Sequence, residues 1–355
     1  MPPTAPGEGT RVTARIGVLT GGGDCPGLNA VIRAVVRRAE SYSMGVLGFR
    51  NGWRGVLDYA AEPLTQTSTR GILHRGGTML GTSRTDPVAA PDGVERVREA
   101  LEVHRLDGLV VIGGEGTLSA ARVLSEEHGV PIVGVPKTID NDLSGTQFTI
   151  GFSTALDIAT EAVDRLHSTA ESHNRVMLLE VMGRHVGWIA TYAGIAGGAD
   201  AILVPEHPFD LDRVCRHLRR RHGTGRTFSI VVIAEGAVPA AGTLDLPEYD
   251  LDEFGRPRLG GIAAFLGPLI EERTGFPTRV TILGHVQRGG TPNAFDRVLG
   301  STLGVAATDC AQRGEWGRMV GMRGNAVAAV PLARATGELK TVPAAMYEVA
   351  EVFFG

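Results

Sequence analysis

Leu109-Val110-Val111-Ile112-Gly113-Gly114-Glu115-Gly116-Thr117 is the stretch that decides the fold. Four apolar residues in a row give way to glycines, and an amphipathic segment begins at Thr117. A short unbroken apolar run reads as a strand covered on both faces, as in a parallel sheet. Glycines at its end let the chain turn sharply into a helix. The same order repeats along the chain. Strand-like runs at 15–20, 45–49, 108–113, 131–136, 176–182, 201–205, 230–235 and 280–285 are each followed by a polar or glycine-rich break. Helical spacing covers 27–41, 93–103, 117–128, 154–172, 186–196, 211–221, 262–274 and 294–313. Alternation of this kind builds βαβ units. It predicts an α/β protein of two Rossmann-like three-layer lobes with mainly parallel sheets and the active site in the cleft between them. Open sheets bind ligands beyond the carboxyl ends of their strands, where this chain puts its glycine-rich and charged clusters.

A chain of 355 residues with 43% apolar and 21% charged residues can fill two lobes. The net charge of −4 offers no broad basic face, which argues against nucleic-acid binding. Cys25, Cys215 and Cys310 are far apart without metal-ligand spacing, as expected in the reducing cytoplasm. No apolar run reaches membrane-spanning length. The opening MPPTAPGEGTRVTA lacks the pattern of a secretory signal and reads as a frayed tail over 1–14. Residues 237–260, rich in proline, glycine and acids, read as a surface loop or insertion.

Four clusters carry chemistry. Gly21-Gly22-Gly23-Asp24-Cys25-Pro26-Gly27 follows the first strand, where backbone N–H groups and a helix start favour an anion; the alternative is a tight turn. Gly113 to Thr117 repeats the theme with a carboxylate. Beside phosphates Glu115 calls for an intervening Mg²⁺; as a helix N-terminal acid it needs none. Pro136-Lys137-Thr138-Ile139-Asp140-Asn141-Asp142 closes a strand. In extended backbone Asp140 and Asp142 point the same way, one able to take a hydroxyl proton while the other holds a metal or tunes its partner. The fourth cluster is scattered: Arg175, Met182-Gly183-Arg184, Glu235, Arg279 and His285-Val286-Gln287-Arg288-Gly289-Gly290, at strand edges where arginines can grip phosphate with paired donors. Arg213, Arg216, Arg219, Arg220 and Arg221 instead read as a solvated helix face, and Trp53, Trp188 and Trp316 as packing.

Taken in order, GGGDCPGLNAVIR, RGGTMLGTSR, IGGEGT, PKTIDND, IGFSTA, EVMGRHVGW, AGGAD, AEG and LGHVQRGG resemble the phosphofructokinase family. The resemblance implies an ATP-dependent 6-phosphofructokinase of glycolysis. Residues 15–150 plus roughly 288–337 would form the nucleotide-binding lobe, and 151–287 plus roughly 338–355 the fructose 6-phosphate lobe. Gly22, Gly23, Arg84, Thr85 and Gly114 to Thr117 would line the nucleotide, with Glu115 as the Mg²⁺ ligand where the family usually has aspartate. Asp140 would be the general base, with Thr138, Asp142, Lys137 and Arg184 around the transferred group. Thr138, Ile139, Asp140, Met182, Gly183, Arg184, Glu235, His285, Val286, Gln287 and Arg288 would hold the sugar phosphate. Arg175 and Arg279 would reach a neighbouring subunit's site, implying a homo-oligomer, by family habit a homotetramer.

Two positions bear on the donor and point apart. Gly116 matches the ATP enzymes, since pyrophosphate enzymes resemble this loop with aspartate there. Lys137 is typical of pyrophosphate enzymes. Steric exclusion is harder to evade than an added charge, so Gly116 favours ATP. Arg33, Arg37 and Arg226 match basic positions of the bacterial effector site, whereas His167 and Thr227 replace basic residues; a weak effector response is expected.

Overall fold

The computed structural model describes residues 14–246 and 260–354. The elements run β1 (Ala14–Gly21), α1 (Leu28–Ser41), β2 (Met44–Phe49), α2 (Trp53–Leu57), β3 (Ala61–Leu64), α3 (Gly93–His104), β4 (Gly108–Gly113), α4 (Glu115–Glu126), β5 (Ile132–Thr138) and β6 (Ile150–Gly151). There follow α5 (Phe152–His173), β7 (Val176–Val181), α6 (Trp188–Ala196), β8 (Ala201–Leu203), α7 (Leu211–Gly223), β9 (Ser229–Ala234), α8 (Ile262–Thr274) and β10 (Thr278–Ile282). A 3₁₀ turn at Gly284–Arg288, α9 (Ala294–Gln312), β11 (Arg318–Arg323), β12 (Ala326–Pro331), α10 (Leu332–Thr336) and α11 (Ala344–Val352) complete the chain.

The chain divides into two units. The first takes residues up to Lys137, Leu143–Ile150 and Ala294–Glu338. Its sheet is ordered β12-β11-β5-β4-β1-β2-β3, with β6 beside β5. The pairs from β2 through β1 and β4 to β5 and β11 are parallel, while β3 and β12 return antiparallel at the two edges. Strand order reverses between β1 and β4, which makes their carboxyl ends the natural ligand site. β4 is buried at every position, as its unbroken apolar run requires. Leu109, Val111, Leu118 and Leu124 from β4 and α4 join Phe49 and Trp53 in one core cluster.

The second unit comprises Thr138–Asp142, Gly151–Asn293 and Leu339–Gly355. Its four strands, β10-β7-β9-β8, are all parallel. β7 reads VMLLEV and is wholly buried, including Glu180. That carboxylate accepts the N–H groups of Gly261 (2.7 Å) and Ala263 (2.9 Å) at the start of α8, which is how a charge can sit in a core strand.

The units differ from the expected division in two places. Residues 138–142 pack with the second unit although Thr138 is the last residue of β5, and the return to the first comes at Ala294 rather than near 288. The predicted strand 280–285 also ends early, because Gly284–Arg288 coils into the 3₁₀ turn. The strands β3, β11 and β12 escaped the sequence reading: all three are partly exposed, the runs of β3 and β11 are interrupted by charged residues or glycine, and β12 is a run of mostly small residues. Of the predicted loop 237–260, residues 247–259 lie outside the described residues, as do 1–13 of the predicted tail. Among the described residues no helix is long and apolar enough to cross a membrane, and Cys25, Cys215 and Cys310 are all buried.

Candidate active site

In the first unit, two motifs are joined by hydrogen bonds between residues 50 to 61 positions apart in sequence. Gly22 donates its N–H to the Ser83 carbonyl (2.9 Å), and its own carbonyl accepts the Thr82 hydroxyl (2.6 Å). Thr20 Oγ1 binds the Gly81 carbonyl at 2.8 Å, and Asn29 Oδ1 accepts the Met79 N–H at 2.8 Å. The segment carrying Arg84 and Thr85 is thereby fixed against the glycine turn after β1. The Gly22 N–H is therefore not one of the exposed donors that the glycine run suggested.

β4 pairs with β1 through Gly113 and Gly21, so the second glycine turn stands beside the first. A Cβ on Gly113 would come within 2.4 Å of the Thr117 side chain, and this close approach requires glycine. Glu115 opens α4 as an exposed residue, its Oε1 accepting the Ser119 hydroxyl at 2.8 Å. Gly116 follows, and a Cβ there would meet nothing within 4 Å. Lys137, near the end of β5, is 2% exposed, and its ammonium binds the Gly23 carbonyl. The first unit thus gathers Gly22, Gly23, Arg84, Thr85, Gly114, Glu115, Gly116, Thr117 and Lys137 around the carboxyl ends of β1, β4 and β5. Helix starts with exposed N–H groups suit anionic oxygens. Among the described residues no group of three or more metal-ligating side chains forms. A lone carboxylate suits a hard cation that arrives on phosphate oxygens and keeps its waters.

In the second unit the carboxyl ends of β7 and β9 meet the 3₁₀ turn. Glu235 donates its N–H to the Val181 carbonyl (2.8 Å), and Gly236 donates to that of Gly183 (3.1 Å). A Cβ on Gly236 would lie 1.9 Å from the Arg184 carbonyl, so only glycine lets these two segments approach. Burial pushes the Glu235 carboxyl above its ordinary range, while the Gly183 backbone, Arg184 and Arg288 pull it back and Glu180 pushes with burial. Glu235, Arg184 and Arg288 therefore act on one another electrostatically. His285 and Val286 are exposed on the same turn.

Several predicted contacts take other places. Gln287 is fully buried, its Oε1 accepting the Met182 N–H (3.3 Å) and its Nε2 donating to the Gly284 carbonyl (3.1 Å). It holds the cluster from behind. Ile139 is also fully buried, leaving only its backbone for a ligand. Arg175 immediately precedes β7, and Arg279 pairs with Met177 near the start of that strand. Both lie near the amino end of β7, whose opposite end leads to Arg184. They do not join the cluster within one chain. A hollow of about 650 Å³ beside Arg279, lined also by Gly267, Pro268 and Glu271, is likewise away from it.

The acidic motif is not extended. Thr138 ends β5, Ile139 and Asp140 form a turn, and Asn141 has φ 53°. Asp140 donates its N–H to Thr138 Oγ1 (3.1 Å), a local bond that competes with strand continuation. The turn, not a pleat, orients Asp140 and Asp142.

Sequence reasoning missed what lies behind this turn. Lys340 donates from its ammonium to Asn141 Oδ1 (2.8 Å) and from its backbone to the Asp142 carbonyl (2.9 Å). Its own carbonyl accepts Trp188 Nε1 at 2.7 Å, so Trp188 does more than pack. Burial lowers the Lys340 amine to about 8, with Asp142 acting in the opposite direction. No local signal marked Lys340. Arg221 also departs from the expected solvated face, pairing with Asp200 at 2.5 Å.

A family model described as Phosphofructokinase matches residues 15–311. The pyrophosphate–fructose 6-phosphate 1-phosphotransferase of Streptomyces coelicolor is 54% identical over 96% of this chain and 100% of its own. The ATP-dependent 6-phosphofructokinase of Mycobacterium tuberculosis is 55% identical over the same shares. The solved phosphofructokinase from Saccharomyces cerevisiae matches with a TM-score of 0.79 at 33% identity, covering 96% of this chain and 47% of that one. The chain thus spans about half the length of the yeast chain. A pyrophosphate-dependent phosphofructokinase from Nitrosospira multiformis, 21% identical, shares the fold with a TM-score of 0.81 over 93% of this chain and 86% of that one. Fold and clusters define an α/β phosphotransferase acting on an alcohol group. The chain belongs to the phosphofructokinase family.

Proposed function

We propose that this enzyme transfers the γ-phosphoryl group of MgATP to the 1-hydroxyl of fructose 6-phosphate, giving fructose 1,6-bisphosphate and ADP as a step of glycolysis. The grouping of Glu235 with Arg184 and Arg288 carries the reading: two guanidiniums suit a phosphate, and a partly buried carboxylate suits sugar hydroxyls. Asp140 takes the proton of the attacking hydroxyl, Asp142 supports it, and Thr138 lies beside the transferred group. Arg184 offsets charge as the phosphoryl group moves, which is the main demand of this chemistry. Mg²⁺, when bound, neutralises donor phosphate charge, and Glu115 is the side chain that would hold it. Lys137, beneath Gly22 and Gly23, adds positive charge under the donor loop.

ATP is favoured because Gly116 leaves open space at the donor loop. A second reading, pyrophosphate as donor, draws on Lys137 and on relatives named for pyrophosphate use in Streptomyces coelicolor and Amycolatopsis methanolica. The amino-end position of Arg175 and Arg279 supports their action on a neighbouring subunit's substrate in a homotetramer. Three buried, widely spaced cysteines suit a cytoplasmic enzyme.

A paired assay with fructose 6-phosphate and either ATP or pyrophosphate tests the assignment. Turnover with ATP at a kcat/KM above that with pyrophosphate is expected. The reverse ratio replaces the first donor by the second, and inactivity with both removes the proposed function.

A further inference from the structure

We infer that Lys340 is a positioning residue for phosphoryl transfer, tying the turn that carries Asp140 and Asp142 to the segment that carries Arg184. The inference rests on the proposed role of Asp140 as base. Lys340 lies beyond residues 15–311, the span matched by the family model, and is 199 positions from Asn141. It nevertheless packs in the same unit as both segments.

The geometry is specific on each side. Asn141 stands between the two aspartates, 1% exposed and in the left-handed region that asparagine tolerates better than most residues. Its side-chain oxygen accepts the Lys340 ammonium, and the next carbonyl, that of Asp142, accepts the Lys340 N–H. One residue therefore holds two successive positions of the turn. On the other side, Lys340 receives Trp188 Nε1 on its carbonyl and lays its ammonium 5.3 Å from the centre of the indole ring. Trp188 follows Arg184 by four residues. Glu206 reinforces this side: its carboxylate accepts the Gly187 N–H (2.9 Å) and the Val342 N–H (3.0 Å), fastening the same strap two residues on.

An apolar side chain would fill the space without desolvating a charge. What lysine adds is the donor to Asn141, which fixes the turn's dihedral angles and with them the direction of Asp140. Misplacement of a reacting group by about 1 Å can lower a rate about 100-fold. The side chain acts through the turn and not by touching substrate or reacting atoms.

The test compares Lys340→Met, Lys340→Arg, Asn141→Gly and the double variant Lys340→Met/Asn141→Gly in the full-length enzyme, using the donor chosen by the paired assay. Glycine at 141 keeps the positive φ while removing the acceptor. Lys340→Met and Asn141→Gly should each lower kcat about 10- to 100-fold, with KM for fructose 6-phosphate changed by less than about threefold. Lys340→Arg should recover part of the loss, and the double variant should be no slower than the slower single one, as for residues acting through one contact. Folded Lys340→Met with wild-type kcat overturns the inference, as do losses that add in the double variant. Should Lys340→Met fail to fold, Asn141→Gly decides: unaltered kcat overturns the inference, and a selective fall in kcat supports it. Asp140→Asn measured alongside separates the two levels. Wild-type kcat there removes the base assignment on which the inference rests, whereas an inactive Asp140→Asn beside an unaffected Lys340→Met removes only the positioning role.

Discussion

The two units of this enzyme are made of different materials. Around β1 and β4 the first unit offers glycine turns and helix starts, with Glu115 and Arg84 exposed and Gly116 facing open space. Around β7 and β9 the second unit offers charged side chains half-buried among one another, with Glu235 pushed upward and Lys340 downward by burial. A polyphosphate presents many equivalent oxygens, so backbone N–H groups serve it well. A sugar phosphate has hydroxyls that must be told apart, which calls for directed side chains fixed before binding. The first unit is therefore expected to tolerate substitution at its rim, and the second is expected to lose rate sharply.

The largest expected effect tests the second half. Asp140→Asn keeps shape but removes the proposed base, and kcat should fall about 1,000-fold with fructose 6-phosphate binding retained; steady-state kinetics with isothermal binding measures both. A loss of less than about tenfold would move the base elsewhere.

Next comes Glu235→Gln, which should raise KM for fructose 6-phosphate by roughly tenfold, as for a lost charged hydrogen bond, while raising Tm at neutral pH. Burial raises the folded-state pKa of Glu235, so the folded protein holds that proton more tightly than the unfolded chain. This group's contribution to stability is full below the ordinary glutamate range and is lost as pH rises through the raised value. The Tm gain of Glu235→Gln over wild type should accordingly be larger at pH 7.5 than at pH 4. An equal gain at both would mean that the carboxylate carries no burial strain.

Gly116→Asp tests the first half. The added side chain meets no protein atom, so the variant should fold with wild-type Tm. Its kcat/KM for ATP should fall about tenfold or more, since a built-in clash and charge act on one donor only, and pyrophosphate use should be spared or enhanced. Unchanged ATP kinetics would overturn the donor assignment. The smallest effect is regulatory: ADP or phosphoenolpyruvate should shift the fructose 6-phosphate curve by less than about fivefold, below the usual range of allosteric coupling. A steep shift with either ligand would restore a working effector site despite His167 and Thr227.

The strand run 108–113 was legible to the residue, because full burial writes an unbroken apolar run, and α7 was legible to within two residues of the predicted 211–221, because amphipathic packing writes a 3.6-residue period. Gly113, Glu115, Thr117, Arg184 and Glu235 were visible too, since each ends a predicted strand or lies within four residues of its end. The direction of Asp140 and Asp142 was not. A two-residue spacing means one side only in extended backbone, and Asn141 at φ 53° breaks that premise. Strand-edge position by itself also did not separate Arg175 and Arg279, near the amino ends of β7 and β10, from Arg184 and Glu235 beyond the opposite ends, for a strand has two ends.

Taken alone, the order of residues determined the parallel α/β architecture and the chemical type of each cluster. Those are local properties, dictated by periodicity and by which side chains stand at a strand's tip. The packing of residues 138–142 with the second unit, the burial of Gln287 and the junction of Lys340 with Asn141 and Trp188 were decided only by tertiary structure. They depend on contacts between segments as far as 199 positions apart, and such pairings leave no periodic trace in the chain.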